Sequence, residues 1–272
     1  MQADHERKAD RPIVTLTTDF GMADGYVAAM KGVILSINPN CTIIDISHEI
    51  SHHDILEARY VLERTYSFFP AKSIHVAVVD PGVGGPRKPI LIVTDRYFFV
   101  GPDNGIFCFV PCHDTIQKVV ALTNKDYFLQ SVSDTFHGRD IFASCTAYLT
   151  LGIPPERLGP EIEQIVMLEE NEPGVRENQI TGKIIYIDRF GNLITNIRRK
   201  HLEAITQKGS YEILAGKKRL RRVENSYSAV PKGEVLAIFG SSGALEIAAN
   251  QDNAAQKLDM KRGSPLIVIS TG

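Results

Sequence analysis

The amino-acid sequence predicts an α/β protein of two domains, a mostly parallel sheet with flanking helices followed by a smaller all-β barrel domain. Three observations carry that prediction. Strand and helix periodicities alternate up to about residue 168, short strand-like runs follow one another beyond 179, and the charge changes sign between the two parts. Residues 1–179 hold 15 Lys and Arg against 24 Asp and Glu, a net −9, whereas 180–272 hold 15 against 8, a net +7. The overall net charge of −2 argues against bulk nucleic-acid binding but conceals this division, which makes the two parts mutually attractive.

The first ten residues are charged where a signal peptide would be apolar, so 1–11 are expected as a flexible tail. Residues 12–18 form a β-rich run ending in Asp19. Tyr26, Val27, Met30, Val33, Ile34 and Ile37 then recur at helical spacing, with Asp24 placed to cap the helix. Residues 41–46 repeat the strand signal, and Asp54-x-x-Glu57 is a capping box for a helix carrying Ile55, Ala58, Leu62 and Tyr66 on one face. Residues 73–79 form a third strand ending in Asp80, and 90–93 with 97–100 read as a hairpin around Asp95-Arg96. These segments make a domain over 12–168. The acidic, turn-rich stretch 169–179 reads as a linker. Strands at 183–187, 193–197, 211–214, 235–239 and 266–269 then make a β-barrel domain over 180–272.

A composition of 43% hydrophobic and 23% charged residues belongs to a folded chain, and no apolar run reaches the roughly 18 residues of a membrane span. Four cysteines, Cys41, Cys108, Cys112 and Cys145, do not form the dense framework of a secreted scaffold and are expected to be reduced. The expected location is the cytoplasm.

Several motifs carry little chemistry on inspection. Asp19-Phe20-Gly21 spells the kinase magnesium tripeptide without a glycine-rich loop or catalytic loop before it. Gly82-Val83-Gly84-Gly85 lacks the Lys-Ser/Thr and helix of a phosphate loop, and is read as a tight turn aiming Arg87. His48, His52 and His53 beside Asp45 and Asp54 have no helix to fix their spacing, and Cys108, Cys112 and His113 lack a convincing fourth ligand, so no metal is expected. Lys217, Lys218, Arg219, Arg221 and Arg222 form a basic hairpin that could track RNA phosphates but is explained equally well as a solvated edge strand.

The ends of the first and third strands are where open α/β sheets bind ligands, which singles out Asp19 and Asp80. Activation of a water requires a fixed cation, a tunable imidazole and a carboxylate to orient them; Arg87, His137 and Asp80 supply these parts. A Ser-His-Asp hydrolase is the competing reading, but the chain has no Gly-x-Ser-x-Gly elbow.

Six segments in order, Thr17-Thr-Asp-Phe-Gly21, Asp80-Pro-Gly-Val-Gly84, Gly101-Pro-Asp-Asn-Gly105, Phe136-His-Gly-Arg-Asp140, Asp188-Arg-Phe-Gly-Asn192 and Ser241-Ser-Gly243 with Glu246-Ile-Ala-Ala-Asn250, resemble one family. It is that of the S-adenosyl-L-methionine (SAM) hydrolases, or SAM hydroxide adenosyltransferases, relatives of the SAM-dependent fluorinase and chlorinase. The resemblance implies attack of water or hydroxide at ribose C5′, yielding adenosine and methionine without a cofactor. It also implies a homotrimer that binds SAM between one subunit's N-terminal domain and its neighbour's C-terminal domain.

Residue by residue, the resemblance gives Asp19 the vicinal ribose diol, and Asp24 and Asp188 the methionine ammonium. Phe136, Phe190 and Tyr227 become walls for the adenosyl group, Asn192 a partner for the adenine edge, and Ser242 and Glu246 part of the C-terminal binding segment. His137-Gly138 stands where the halogenase branch would carry Tyr-Ser, which favours hydroxide as nucleophile. An adenosyl halogenase and a noncatalytic SAM or nucleoside sensor remain the alternatives.

Overall fold

The computed structural model describes residues 11–169, 172–205 and 210–271. The tail expected over 1–11 therefore lies, apart from Arg11, outside the described residues, as do positions 170 and 171 of the expected linker. The chain divides into two compact units, one running to Leu168 and the other from Glu169. Each is built on its own sheet.

The first unit runs β1 (Ile13–Thr18), α1 (Tyr26–Ile37), β2 (Thr42–Ser47), α2 (Ile55–Glu63), β3 (Ile74–Val78), β4 (Pro89–Thr94), β5 (Phe98–Pro102), α3 (Val110–His113) and β6 (Ile116–Ala121). A π-helical turn, Gly138–Ala143, then leads directly into α4 (Ser144–Thr150). The sheet order is β2-β1-β3-β5-β4-β6. β1 is parallel to β2 and β3, and β3 to β5, while β4 is antiparallel to both β5 and β6. The antiparallel exception is local: the β4–β5 hairpin closes because the Thr94 hydroxyl oxygen accepts the amides of Arg96 and Tyr97 at 3.2 and 2.8 Å, whereas parallel pairs need a long crossover.

β3 shows how the layers form. Its Val76 and Val78 join the core containing Met30 and Ile34 of α1, whereas Ala77 and the following Val79 join the core containing Ala58 and Leu62 of α2. Alternate residues of a strand face opposite ways, so α1 and α2 cover opposite faces of the sheet. The chain changes direction between β1 and β3, where Thr18 and Val78 are paired in register. The crevice beyond that pair receives Asp19 and Asp80 from adjacent strands.

One arm of the capping box at α2 is present: the Asp54 carboxylate accepts the Glu57 amide at 2.9 Å, while the Asp54 amide donates to the Ser51 carbonyl at 3.0 Å. Tyr66 falls beyond α2, in a short 3₁₀ turn, where it is buried and donates its hydroxyl to Asp114 at 2.7 Å. α1 corrects the sequence reading. Gly25 occupies its N-cap without a side-chain bond, so Asp24 does not cap it, and Tyr26 is 50% exposed because the buried stripe is set by Val27, Met30 and Ile34.

The second unit runs β7 (Gly174–Arg176), β8 (Gln179–Ile187), β9 (Leu193–Arg198), α5 (Arg199–Ile205), β10 (Tyr211–Ala215), β11 (Lys218–Leu220), β12 (Val223–Glu224), β13 (Val235–Phe239), β14 (Ala244–Ala249), α6 (Ala254–Leu258) and β15 (Pro265–Ser270). Its nine strands form a nearly closed, barrel-like sheet in the order β11-β10-β15-β8-β9-β14-β13-β12, with β7 added on β8. Ile180, Ile184, Leu193, Ile197, Leu245, Ile247, Leu266 and Val268 fill its core. The expected linker contains structure: Arg176 pairs with Gln179, so Glu177-Asn178 is a two-residue hairpin loop. α5 buries His201, Leu202 and Ile205, a pattern hidden in the sequence by Arg199, Lys200 and Glu203. Among the described residues no helix is long and apolar enough to cross a membrane.

Candidate active site

Two successive turns follow Asp80, with Val83 N–H on the Asp80 carbonyl at 3.2 Å and Gly85 N–H on that of Gly82 at 3.0 Å. They fold the chain back so that Arg87 meets Asp80. Nε of Arg87 lies 3.0 Å from both carboxylate oxygens, and Nη2 makes a further short bond to Oδ2. That fork uses two donors and leaves the guanidinium pre-aimed. Nη2 also lies 2.8 Å from Nδ1 of His137, and the Phe142 ring lies 5.5 Å from the guanidinium carbon.

Guanidinium has no acceptor, so Nδ1 must accept this bond and the neutral imidazole carries its proton on Nε2. The electrostatics agree. Burial, and then the Arg87 charge, hold the His137 pKa below its ordinary value of 6.5, against the opposing pull of Asp80, Asp140 and Asp134.

Asp80 and His137 line a cavity of about 310 Å³ together with Asp19, Asp24 and Phe136. The structure thus brings together six residues singled out in the first unit's sequence, with Arg87 behind Asp80 and His137. Asp19 is 8% exposed and accepts the His53 amide at 2.9 Å, an approach for which His53 adopts a left-handed backbone, φ 65°. Its other oxygen, Oδ1, takes no part in that bond.

The sequence reading missed Phe20, Tyr26, His52, His53 and Thr135, which also line this cavity. Phe20, Tyr26 and Phe136 form a trio with ring centroids 5.2–5.8 Å apart, Phe136 edge-on to each of the other two, which are tilted to one another. The available signal was position: Phe20 directly follows the strand-end carboxylate, and Tyr26 opens α1 outside its buried stripe.

The remaining residues belong to the second unit. Asp188 accepts the amides of Phe190 and Asn192 with one oxygen, each at 2.9 Å, and the Asn192 side-chain amide with the other at 2.8 Å. It therefore shapes its own turn and leaves Phe190 77% exposed. On β14, buried Glu246 lies 3.2 Å from the Tyr227 hydroxyl. Burial raises the pKa of Glu246, with Asp188 adding to it; burial and Glu246 push Tyr227 up to about 12. The Ser242 hydroxyl oxygen accepts the Ala244 amide at 3.3 Å in the turn ahead of β14.

Among the described residues, no group of three or more His, Cys, Asp and Glu is arranged to hold a metal. His48 is instead a core residue bonded through Nδ1 to Thr18 at 2.8 Å, with Nε2 3.0 Å from Asp45, and His113 pairs with Glu63 at 2.9 Å. The basic hairpin is similarly occupied: Lys218 meets Glu234, Arg219 and Arg221 meet Glu212, and Arg222 meets Glu224.

Residues 14–159 match the family of the SAM hydroxide adenosyltransferase N-terminal domain, and 182–267 that of its C-terminal domain. The chain is 38% identical to an (R)-S-adenosyl-L-methionine hydrolase of Methanocaldococcus jannaschii, covering 91% of this chain and 92% of that protein. It is 33% identical to one of Thermus thermophilus, covering 94% and 98%. A fluorinase of Nocardia brasiliensis is more distant, at 25% identity with 93% and 95% covered. Among solved structures, a conserved protein from Thermotoga maritima superposes with a TM-score of 0.87 at 35% identity, covering 94% of this chain and 99% of that one.

Proposed function

Because this chain belongs to the SAM hydroxide adenosyltransferase family, we infer that it hydrolyses SAM to adenosine and L-methionine by attack of water or hydroxide at ribose C5′. The observation that carries the reading is the Asp80–Arg87–His137 chain of contacts, whose outer members line the cavity.

In this reaction a C5′–O bond forms as the C5′–S bond breaks, and the bonding pair returns to sulfur to give the neutral thioether of methionine. The oxygen's proton is lost to solvent. A sulfonium leaves readily, so the residues act mainly on the nucleophile. Neutral His137 offers an Nε2 proton to the oxygen and favours its hydroxide character, with Arg87 fixing the ring and Asp80 fixing Arg87. It holds the nucleophile in line as a donor and does not act as the base.

On this reading Asp19 accepts the ribose diol, Asp24 and Asp188 attract the ammonium, and Phe136, Phe190 and Tyr227 wall the adenosyl group. Asn192, Ser242 and Glu246 complete the contacts of the second unit. SAM serves as substrate, and with the leaving group already activated the chemistry calls for no cofactor or metal. We place the protein in the cytoplasm as a homotrimer in which one subunit's first unit and a neighbour's second unit serve one substrate. The opposite net charges of the two parts support that assembly.

The experiment is incubation with SAM in ¹⁸O-labelled water, with and without chloride or fluoride, followed by mass spectrometry. Labelled oxygen at C5′ of adenosine, with stoichiometric methionine, is the expected result. A 5′-halo-adenosine that requires halide overturns it in favour of a halogenase, and bound but unconverted SAM in favour of a sensor.

A further inference from the structure

One buried charge in the first unit has no part in the chemistry above. Asp140 is fully buried, at 0% exposure. Its Oδ2 accepts the Ser133 amide at 2.8 Å and Nη2 of Arg139 at 3.1 Å, and its Oδ1 accepts Nε of Arg139 at 2.6 Å. Arg139 in turn lies over the Phe136 ring, 4.9 Å from its centroid. A single carboxylate thus closes the segment from Ser133 to Asp140 into a loop, with His137 inside it.

The π-helical turn begins at Gly138, immediately after His137, and the amides of Arg139 and Asp140 both reach the Phe136 carbonyl at 3.1 Å. Such turns displace one residue from the helical ladder and re-aim its neighbours. On the other side of the loop stands Gly84, in the turn between Asp80 and Arg87. A Cβ there would lie 2.4 Å from the Asp134 carbonyl oxygen, and φ is +75°. Only glycine lets the two segments meet backbone to backbone.

We propose that Asp140 is a positioning residue for the proposed hydrolysis: through Ser133 and Arg139 it holds the loop carrying His137 against the Gly84 turn, and so keeps His137 in reach of Arg87. The inference rests on the reading of the site given above. A buried ion pair adds little net stability over an apolar replacement, whereas it does fix geometry. The charged groups that act on His137 are Arg87, Asp80, Asp140 and Asp134. If the loop is released, His137 leaves the Arg87 cation that lowers its pKa and its midpoint moves to higher pH, whereas loss of the Asp140 anion alone, with His137 still in place, would move it lower.

The test is Asp140→Asn, with Arg139→Gln as a second variant at a partly exposed side chain. Binding of S-adenosylhomocysteine by calorimetry verifies that each is folded. Expected for Asp140→Asn is a tenfold or greater fall in kcat, less than a threefold change in KM for SAM, and an upward shift of the His137 imidazole titration followed by NMR. Arg139→Gln shows the same pattern more weakly. A folded Asp140→Asn protein with wild-type kcat, or with a His137 titration that stays in place or moves down, overturns the proposal. If the wild-type protein itself does not turn SAM over, the hydrolase reading fails and the NMR titration alone decides the role of Asp140. Should Asp140→Asn not fold, Arg139→Gln decides on both readouts.

Discussion

Nη2 of Arg87 and Nδ1 of His137 are 2.8 Å apart, and only one of the two can supply the proton. Because it is the guanidinium, the arrangement exists only while the imidazole is neutral. Burial and the Arg87 charge lower the His137 pKa from 6.5, so the acid limb of kcat/KM is expected below that pH. Arg87→Met removes the cation, leaves Asp80 facing the ring, and moves the limb upward. It is expected to lower kcat by about 10²-fold, the scale of one lost preorganised donor, with SAM affinity nearly retained. A pH–rate profile of both proteins checks this; a limb that stays in place speaks against the contact.

His137→Ala removes the imidazole itself. Turnover is expected to fall at least as far as in Arg87→Met, because Arg87 acts through that ring, and the double variant is expected to be no worse than His137→Ala alone. Single-turnover kinetics with isothermal titration of SAM separate the lost step from retained binding. Additive losses would mean that the two residues act independently.

Asp19 keeps one carboxylate oxygen clear of its bond to the His53 amide. Asp19→Asn should raise KM for SAM by about 10- to 100-fold, the worth of charge-assisted hydrogen bonds. With a 2′-deoxyribose analogue of SAM the penalty should shrink, since the partner hydroxyl is already absent. An undiminished penalty would place Asp19 elsewhere than on the diol.

Gly240 stands where a Cβ would lie 1.7 Å from a Glu246 oxygen. Gly240→Ala must therefore displace the Glu246 carboxylate from beside Tyr227 or move the backbone, at a cost of about 1–3 kcal/mol for overpacking. Urea denaturation should give a lower midpoint with an unchanged slope. A wild-type midpoint would show that Glu246 moves freely.

His75 is wholly buried, bonded at Nδ1 to Thr15 at 2.8 Å, and burial lowers its pKa from 6.5 to about 3. Between those values the unfolded chain binds a proton that the folded chain does not, so stability falls as pH falls, by at most about 1.4 kcal/mol per pH unit. His75→Gln should flatten this dependence between pH 6.5 and 4, whatever its effect at neutrality. Thermal melts across that range decide it; parallel curves for the two proteins would exclude His75 as a source of acid sensitivity.

The sequence makes some of this legible because the relevant physics is local. Strand-end Asp19 and Asp80, the Asp54 capping box and the β4–β5 hairpin follow from spacing within a few residues. Asp188-Arg-Phe-Gly-Asn192 enters through resemblance alone, and the bonds its carboxylate makes within a local turn are visible only in the structure. The meeting of Arg87 with His137 spans 50 positions and depends on which helix covers which face, so periodicity alone is silent on it. Nor does the π-helical turn have a compositional signature: Gly138, Arg139 and Asp140 are ordinary residues whose arrangement is imposed by tertiary bonds. Tyr26 was misread for a related reason, since an aromatic beside a buried stripe looks like part of it until neighbours are known.

The crevice draws its parts from separate stretches of chain. Asp19 hangs from the end of β1, whereas Asp80, Arg87 and His137 sit in the turn after β3 and the loop before the π-helical turn. On the proposed reading, the grip on the sugar and the choice of attacking atom are written in different passages of the sequence. Loop replacements confined to 81–87 and 133–138 can revise the second while leaving the sheet and the first as they are, which makes the fold a chassis for exchanging nucleophiles.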